Sequence, residues 1–144
     1  MSLSNTTEDN ILKLILWGTA WTGIAQNHAT PLTSLYLALH TADPGEAGTA
    51  ITSETAYTGY ARKAVARDNT AWAIPGGSGA SLVANQDFGK CTASPGVAIT
   101  HASIVDTSSG AGTIIASGAL SSSITMAVNV IPRIEATTTT FTLD

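Results

Sequence analysis

Charge is what this 144-residue sequence has least of: charged residues make up 11% of the chain, against about 25% in an ordinary soluble domain. Cations are limited to Lys13, Arg62, Lys63, Arg67, Lys90 and Arg133, and the formal net charge is −4. Phosphate contacts supply most non-specific affinity for nucleic acid, so a chain this poor in cations is not expected to bind it directly. Arg62, Lys63 and Arg67 read as the solvated side of a strand. Cysteine is reduced to Cys91, which excludes an internal disulfide framework. Long hydrophobic runs are missing too. The longest apolar stretch near the N-terminus, residues 11–17, follows Glu8 and Asp9 rather than a basic flank and is too short to span a bilayer, so neither a secretory signal nor a membrane partner is expected. Asn5-Thr6-Thr7 fits a glycosylation acceptor, and without a secretion signal it reads as a helix start.

In place of charge the chain carries Ser and Thr, about a quarter of its residues. β-Branched Thr fits a pleated surface. A hydroxyl-rich face is also cheap to desolvate, since one hydrogen bond satisfies a Thr, whereas a buried ion needs a matched counter-charge. Such a surface suits permanent contacts. The hydrophobic share, 44%, supports one core in a chain of this length.

Asn5 followed by Glu8 has capping-box spacing and predicts a helix over 6–17, with Ile11, Leu12, Leu14, Ile15 and Leu16 on a broad apolar face and Gly18 as its stop. Residues 19–31 read as an irregular connection. From Leu32 the period switches to alternation. In 35–40 the leucines fall on one face and Tyr36, Ala38 and His40 on the other, which predicts a strand with one face in the core. Asp43-Pro44-Gly45 is turn chemistry. Further strands are expected at 60–67, 81–88, 97–106, 113–119, 124–131 and 137–143, with Pro132 marking an edge or bend and 75–79 a loop tip. The expected fold is mainly β: a helical arm, 1–31, and a single antiparallel β-sandwich or jelly-roll domain, 32–144.

Residues suited to chemistry are scattered. His28, His40 and His101 are isolated, and no zinc-protease, paired-cysteine, Walker, nucleophile-elbow or dinucleotide-binding pattern is present. His40 and His101 lie in predicted strands and read as neutral, hydrogen-bonded rings; Cys91 reads as a small buried hydrophobe. The expectation is no catalytic centre, no metal and no cofactor. A carbohydrate-binding module for a host surface is the rival from another class. Of Trp17, Trp21, Trp72, Tyr36, Tyr57 and Tyr60, only Tyr57 and Tyr60 fall in a stretch that reads as exposed enough to stack on sugar, and Trp17 and Trp21 read as residues that lock the helix onto the sheet.

The strings LYLALHTADPGEAG, SETAYTGYARKAVAR and ITHASIVDTSSGAGTIIASGAL, with the Thr-rich ending FTLD, resemble the small tailed-phage structural proteins described as tail-fibre-like or capsid-decorating. The resemblance runs from Leu35 to Asp144. It implies a virion component, assembled in the host cytoplasm in many copies, whose partners are other virion proteins (the major capsid protein or tail proteins) and further copies of itself. Without a coiled-coil shaft or elongated repeat, capsid decoration as a cement protein is the expected role. A tail or tail-fibre-associated role is the alternative. The expected partner surface comprises Ile11, Leu14, Ile15 and Trp17 on the arm, Tyr57 and Tyr60 on the loop, and Thr139 on an uncharged edge strand.

Overall fold

Ser4, one residue ahead of the expected cap, starts the helix: in the computed structural model its Oγ accepts from the Thr7 backbone N–H at 3.3 Å. The model describes residues 3–76, 79–93, 96–136 and 138–142. Asn5 is therefore the first helical residue rather than the cap, because Ser at this position satisfies the same orphan donor with a shorter side chain. Helix α1 (Asn5–Leu12) continues into one wider, π-helical turn (Lys13–Trp17). Gly18 ends it as expected, at φ 66, with its N–H and that of Thr19 both directed to the Lys13 carbonyl. Glu8, Leu12 and Leu16, spaced four apart, form the stripe that is buried. Ile11, Leu14 and Ile15 flank it half-buried.

Among the described residues nine strands follow: β1 (Ser34–His40), β2 (Lys63–Ala66), β3 (Trp72–Ala73), β4 (Gly79–Leu82), β5 (Gln86–Asp87), β6 (Ala98–Val105), β7 (Ile114–Thr125), β8 (Arg133–Ile134) and β9 (Thr140–Thr142). Strand and bridge residues make up 38% of the described residues and helical ones 10%, so the protein is mainly β with one short N-terminal helix. One sheet runs β2-β1-β6-β7 and another β3-β4-β9. The pairings β1–β6, β6–β7, β3–β4 and β4–β9 are antiparallel. By contact the chain divides into two units, each discontinuous in sequence. The first comprises 1–34, 66–85 and 134–144, and the second 35–65 and 86–133.

Three expectations are corrected. β1 is not half-buried: Leu37, Ala38, Leu39 and His40 are all buried, because β1 lies between β2 and β6 and is covered on both faces at its C-terminal end. The expected strands 113–119 and 124–131 are instead one twelve-residue strand, β7, followed by a turn in which the Val130 N–H returns to the Ala127 carbonyl and Asn129 takes φ 73. The expected strand 81–88 is split between β4 and β5, the chain between them turning at 83–85. Of the expected strand 137–143, residues 138–142 are described, and β9 is its ordered pairing; residues 137 and 143 lie outside the described residues, as do Gly77 and Ser78 of the expected loop tip.

Gly18 offers the simplest test of how the helix stops. An added Cβ would sit in a left-handed conformation and 3.3 Å from the Arg67 guanidinium. Gly18→Ala is expected to lower stability by about 1–2 kcal/mol, with Gly18→Asn milder, as measured by chemical denaturation.

Candidate functional site

In the first unit the side chains around the helix end form a tight anchor. Trp17 donates through Nε1 to the Trp72 carbonyl at 2.9 Å, and Trp72, itself buried, donates to the Ala66 carbonyl at 3.0 Å. Trp17 thus locks the helix to β3, as expected. The π-helical turn leaves the Leu14 and Ile15 carbonyls without helical partners, and the Arg67 guanidinium takes both, with Nε 2.5 Å from the Ile15 oxygen. A cation is well placed at a helix C-terminus, where the backbone dipole leaves negative partial charge. Arg67 is therefore a cap reaching across sequence, and its reading as a solvated strand residue is corrected. Burial holds its pKa below the ordinary arginine value.

Other expected partner residues of this unit are Ile11, Leu14 and Ile15, half-buried on the helix, and Thr139, exposed beside β9, which is an edge of its sheet. Sequence reasoning misses Ile24, 71% exposed in the tight turn closed by the Trp21 and Ala25 backbones. Leu32, at 53%, is the next most exposed large apolar side chain of this unit.

The second unit is organised around Arg62. Its Nε and Nη2 donate to the two oxygens of Glu54 at 2.7 and 2.8 Å, Nη1 donates to the Thr107 carbonyl and hydroxyl at 3.1 and 3.0 Å, and Nη2 also reaches the Gly110 carbonyl at 2.8 Å. Those five contacts use all the N–H donors a guanidinium has. The side chain is 2% exposed and that of Glu54 15%. Hydrogen bonding to Glu54 holds the Arg62 pKa above its ordinary value against the opposing cost of burial. Tyr60 completes the cluster: its hydroxyl donates to Glu54 Oε1 at 2.8 Å and accepts the Leu39 N–H at 3.1 Å. Arg62 is thus the reverse of a solvated strand cation. The string Glu54 to Arg62 lies within the stretch that carried the family resemblance, and in the fold it builds this cluster.

Tyr57 and Tyr60 do not form an exposed platform. Tyr57 is 2% exposed, its hydroxyl donating to the Gly89 carbonyl at 2.8 Å, and burial pushes its pKa up to about 12. Tyr60 stacks on Phe88 with ring centroids 6.2 Å apart, and Tyr57 packs against it at 5.4 Å. Their faces are already occupied by the chain's own rings. The tyrosines belong to the second unit and the helical residues to the first.

His40 is wholly buried. Its Nδ1 lies 2.8 Å from the Thr52 carbonyl and must donate there, so Nε2 accepts from the Ser103 hydroxyl at 2.7 Å. This is a neutral ring with both nitrogens engaged, as expected of it. His101 is its cross-strand partner in the β1–β6 register, a juxtaposition that separate reading of the two strands missed; its Nδ1 lies 2.9 Å from the Thr100 hydroxyl. Cys91, in the same unit, is a buried free thiol directed at the Ala93 carbonyl. His28 lies in the first unit and bonds its near neighbour Thr30. Among the described residues no group of three or more His, Cys, Asp or Glu is placed to hold a metal, and no helix is long and apolar enough to cross a membrane.

Compared with known families, the chain matches the model described as Podophage GP4 fiber I protein gp80 over residues 2–142. No curated protein matches it.

Two outcomes follow from this geometry. Arg62→Met strands the Glu54 carboxylate, and loss of one partner of a buried pair costs on the order of 3 kcal/mol or more. Arg62→Lys is expected to recover little of that, because an ammonium cannot span Glu54, Thr107 and Gly110 at once; thermal unfolding of the three proteins checks the ranking. The second outcome concerns pH. Burial, the largest influence, holds the His40 pKa below its ordinary 6.5, so as pH falls below that value the unfolded chain takes up the proton first. Stability contributed by the neutral ring is fully present above about 6.5 and is lost as pH falls from there towards the folded-state pKa. Denaturation midpoints of the wild type are expected to fall between about pH 7 and 5.5, more steeply than those of His40→Gln.

Proposed function

We propose that this chain, which belongs to the Podophage GP4 fiber I protein gp80 family, is a fibre subunit of a tailed-phage virion that works by attachment to other virion proteins and not by chemistry. Membership of that family makes it a virion-associated structural protein, and the match over residues 2–142 is the observation that carries the reading. The family description names a fibre, which favours the fibre role over the capsid-decorating role that composition and architecture had suggested. What the second unit does with its polar side chains supports a structural part. Arg62 has no donor left for a ligand, His40 has no free nitrogen, and the hydroxyls of Tyr57 and Tyr60 are engaged within the fold. The aromatic surface a saccharide would stack on is turned inward.

Attachment is assigned to the first unit. There the half-buried Ile11, Leu14 and Ile15, the exposed Ile24 and Leu32, and Thr139 beside the edge strand β9 offer apolar and neutral surface of the kind a virion partner covers. Trp17 contributes by holding the helix, its indole N–H already bound to Trp72. Tyr57 and Tyr60 are left out because the fold itself consumes their faces.

Labelling intact particles with antibody to this chain, followed by electron microscopy, separates the two roles: label gathered at the tail end supports the fibre role, and label spread evenly over the shell sinks it in favour of decoration. For the attachment surface, Ile11→Asp and Thr139→Lys are expected to yield folded protein that no longer enters particles. Incorporation at wild-type level for both would defeat the assignment.

A further inference from the structure

His40 ends β1, and its ring is held there between β6 and a short piece of chain, residues 49–53. The Nδ1 proton goes to the Thr52 carbonyl at 2.8 Å, and on the other side Nε2 takes the Ser103 hydroxyl proton at 2.7 Å. Further ties close the same clasp. Thr41 gives both its N–H and its hydroxyl to the Ser53 carbonyl, at 2.8 and 3.2 Å, and the Ala50 N–H meets the Gly112 carbonyl at 2.9 Å. Ala50 is wholly buried against Ala38 and Val105, so the segment also covers part of the apolar core of its unit.

Two features make this clasp conditional. The ring's cross-strand neighbour is a second imidazole: His40 and His101 are the end pair of the β1–β6 ladder. Like charges directly opposite one another on paired strands repel, so two protonated rings oppose the pairing that two neutral rings allow. The other feature is Ser53, whose φ of 53 is left-handed backbone that a residue with a Cβ takes only at a cost. The bonds around His40 hold that strain in, and any opening of the segment relieves it.

We infer that His40 and His101 form an acid-sensitive latch, and that mild acid lifts residues 49–53 off the end of β1 before the protein unfolds as a whole. A proton cannot be added to His40 in place. A protonated Nε2 would direct a second proton along the 2.7 Å line to Ser103, whose hydroxyl would have to turn away inside a residue 3% exposed. Burial is the largest influence against the charged ring. Of the charged groups that face it, Arg62 from the segment before β2 and His101 from β6 oppose it as well, while the Thr52 carbonyl and Glu54, at the end of the clasp, favour it. Glu54 is poorly placed to compensate, because Arg62 takes both its oxygens. The charged ring therefore goes to water. Of its two covers, β6 is laddered to β1 and β7, whereas residues 49–53 hang on the few bonds above, so the segment is what yields, with Glu54 clamped by Arg62 as its fixed end. The latch follows from the chain alone and is independent of the fibre assignment.

Amide hydrogen exchange on the purified full chain, read by mass spectrometry and corrected for the intrinsic pH dependence of exchange, tests it. Below the ordinary histidine value of 6.5, protection of the bonded amides of Ala50, Thr52 and Glu54 is expected to fall several-fold, at most about tenfold per pH unit for one proton taken up, and to return above it. The Trp72 and Val83 amides, bonded within the first unit, are expected to keep theirs down to pH 5.5. His40→Gln should remove the fall. Should that variant fail to fold, His101→Gln, which alters a half-buried ring, carries the test: with one of the two facing charges gone, the fall should be smaller and begin at lower pH. Protection at 50–54 that does not change with pH, an equal fall in folded His40→Gln, an undiminished fall in His101→Gln, or simultaneous loss in both units would each overturn the proposal.

Discussion

The second unit depends on one saturated guanidinium. Burying a charge in a chain with so few of them is costly unless every donor is met, and Arg62 meets all five within its own fold. Two of the acceptors are the Glu54 oxygens, eight residues earlier; the others belong to Thr107 and Gly110, 45 and 48 residues later. One side chain therefore fixes the loop before β2 against the loop between β6 and β7. Because Tyr60 bonds to the same Glu54 oxygen and takes the Leu39 N–H, the cluster also reaches into β1. In a chain with so little charge, this one pair is placed where geometry, not solvent, satisfies it: the Arg62 and Glu54 side chains are 2% and 15% exposed.

Arg67 does the same in the first unit by a different route. The π-helical turn at Lys13–Trp17 is one residue wider than an α-turn and shifts two carbonyls out of helical pairing. A long, forked cation from the segment after β2 meets them, and Gly18 is needed partly because that fork lies against it. Trp17 and Trp72 then tie the helix to β3 through indole N–H donors rather than through bulk apolar contact alone.

How much of this was legible in the sequence follows from the range of each signal. Local ones were read correctly: the apolar run ahead of Gly18, the alternation that became β1, and the segment that became β6. What failed was long-range. Alternation shows that a strand has two faces but not that both are covered, so β1 was underestimated. A serine run at 121–123 has the composition of a turn, yet β7 passes through it with only a disturbed register. Arg62 and Arg67 were read as solvated because the rule for isolated cations is local, whereas the carbonyls that bury them stand up to about fifty residues away. Tyr57 and Tyr60 were misjudged for the same reason, since Phe88 and Gly89, which cover them, belong to a distant segment.

The interleaving of the two units bears on the order in which the protein can be made. The first unit holds residues 1–34 but needs 66–85 and 134–144 to be whole, and β4 gains its second neighbour only when Thr140–Thr142 has left the ribosome. Vectorial synthesis presents the helix first and its sheet last. A nascent chain must therefore keep Leu12 and Leu16 from other apolar surface until residues 134–142 have followed, while the second unit, whose segments end at residue 133, has its full complement earlier. Emergence of Thr140–Thr142 is thus the moment at which β4, in the unit bearing the helix, first has both its neighbours.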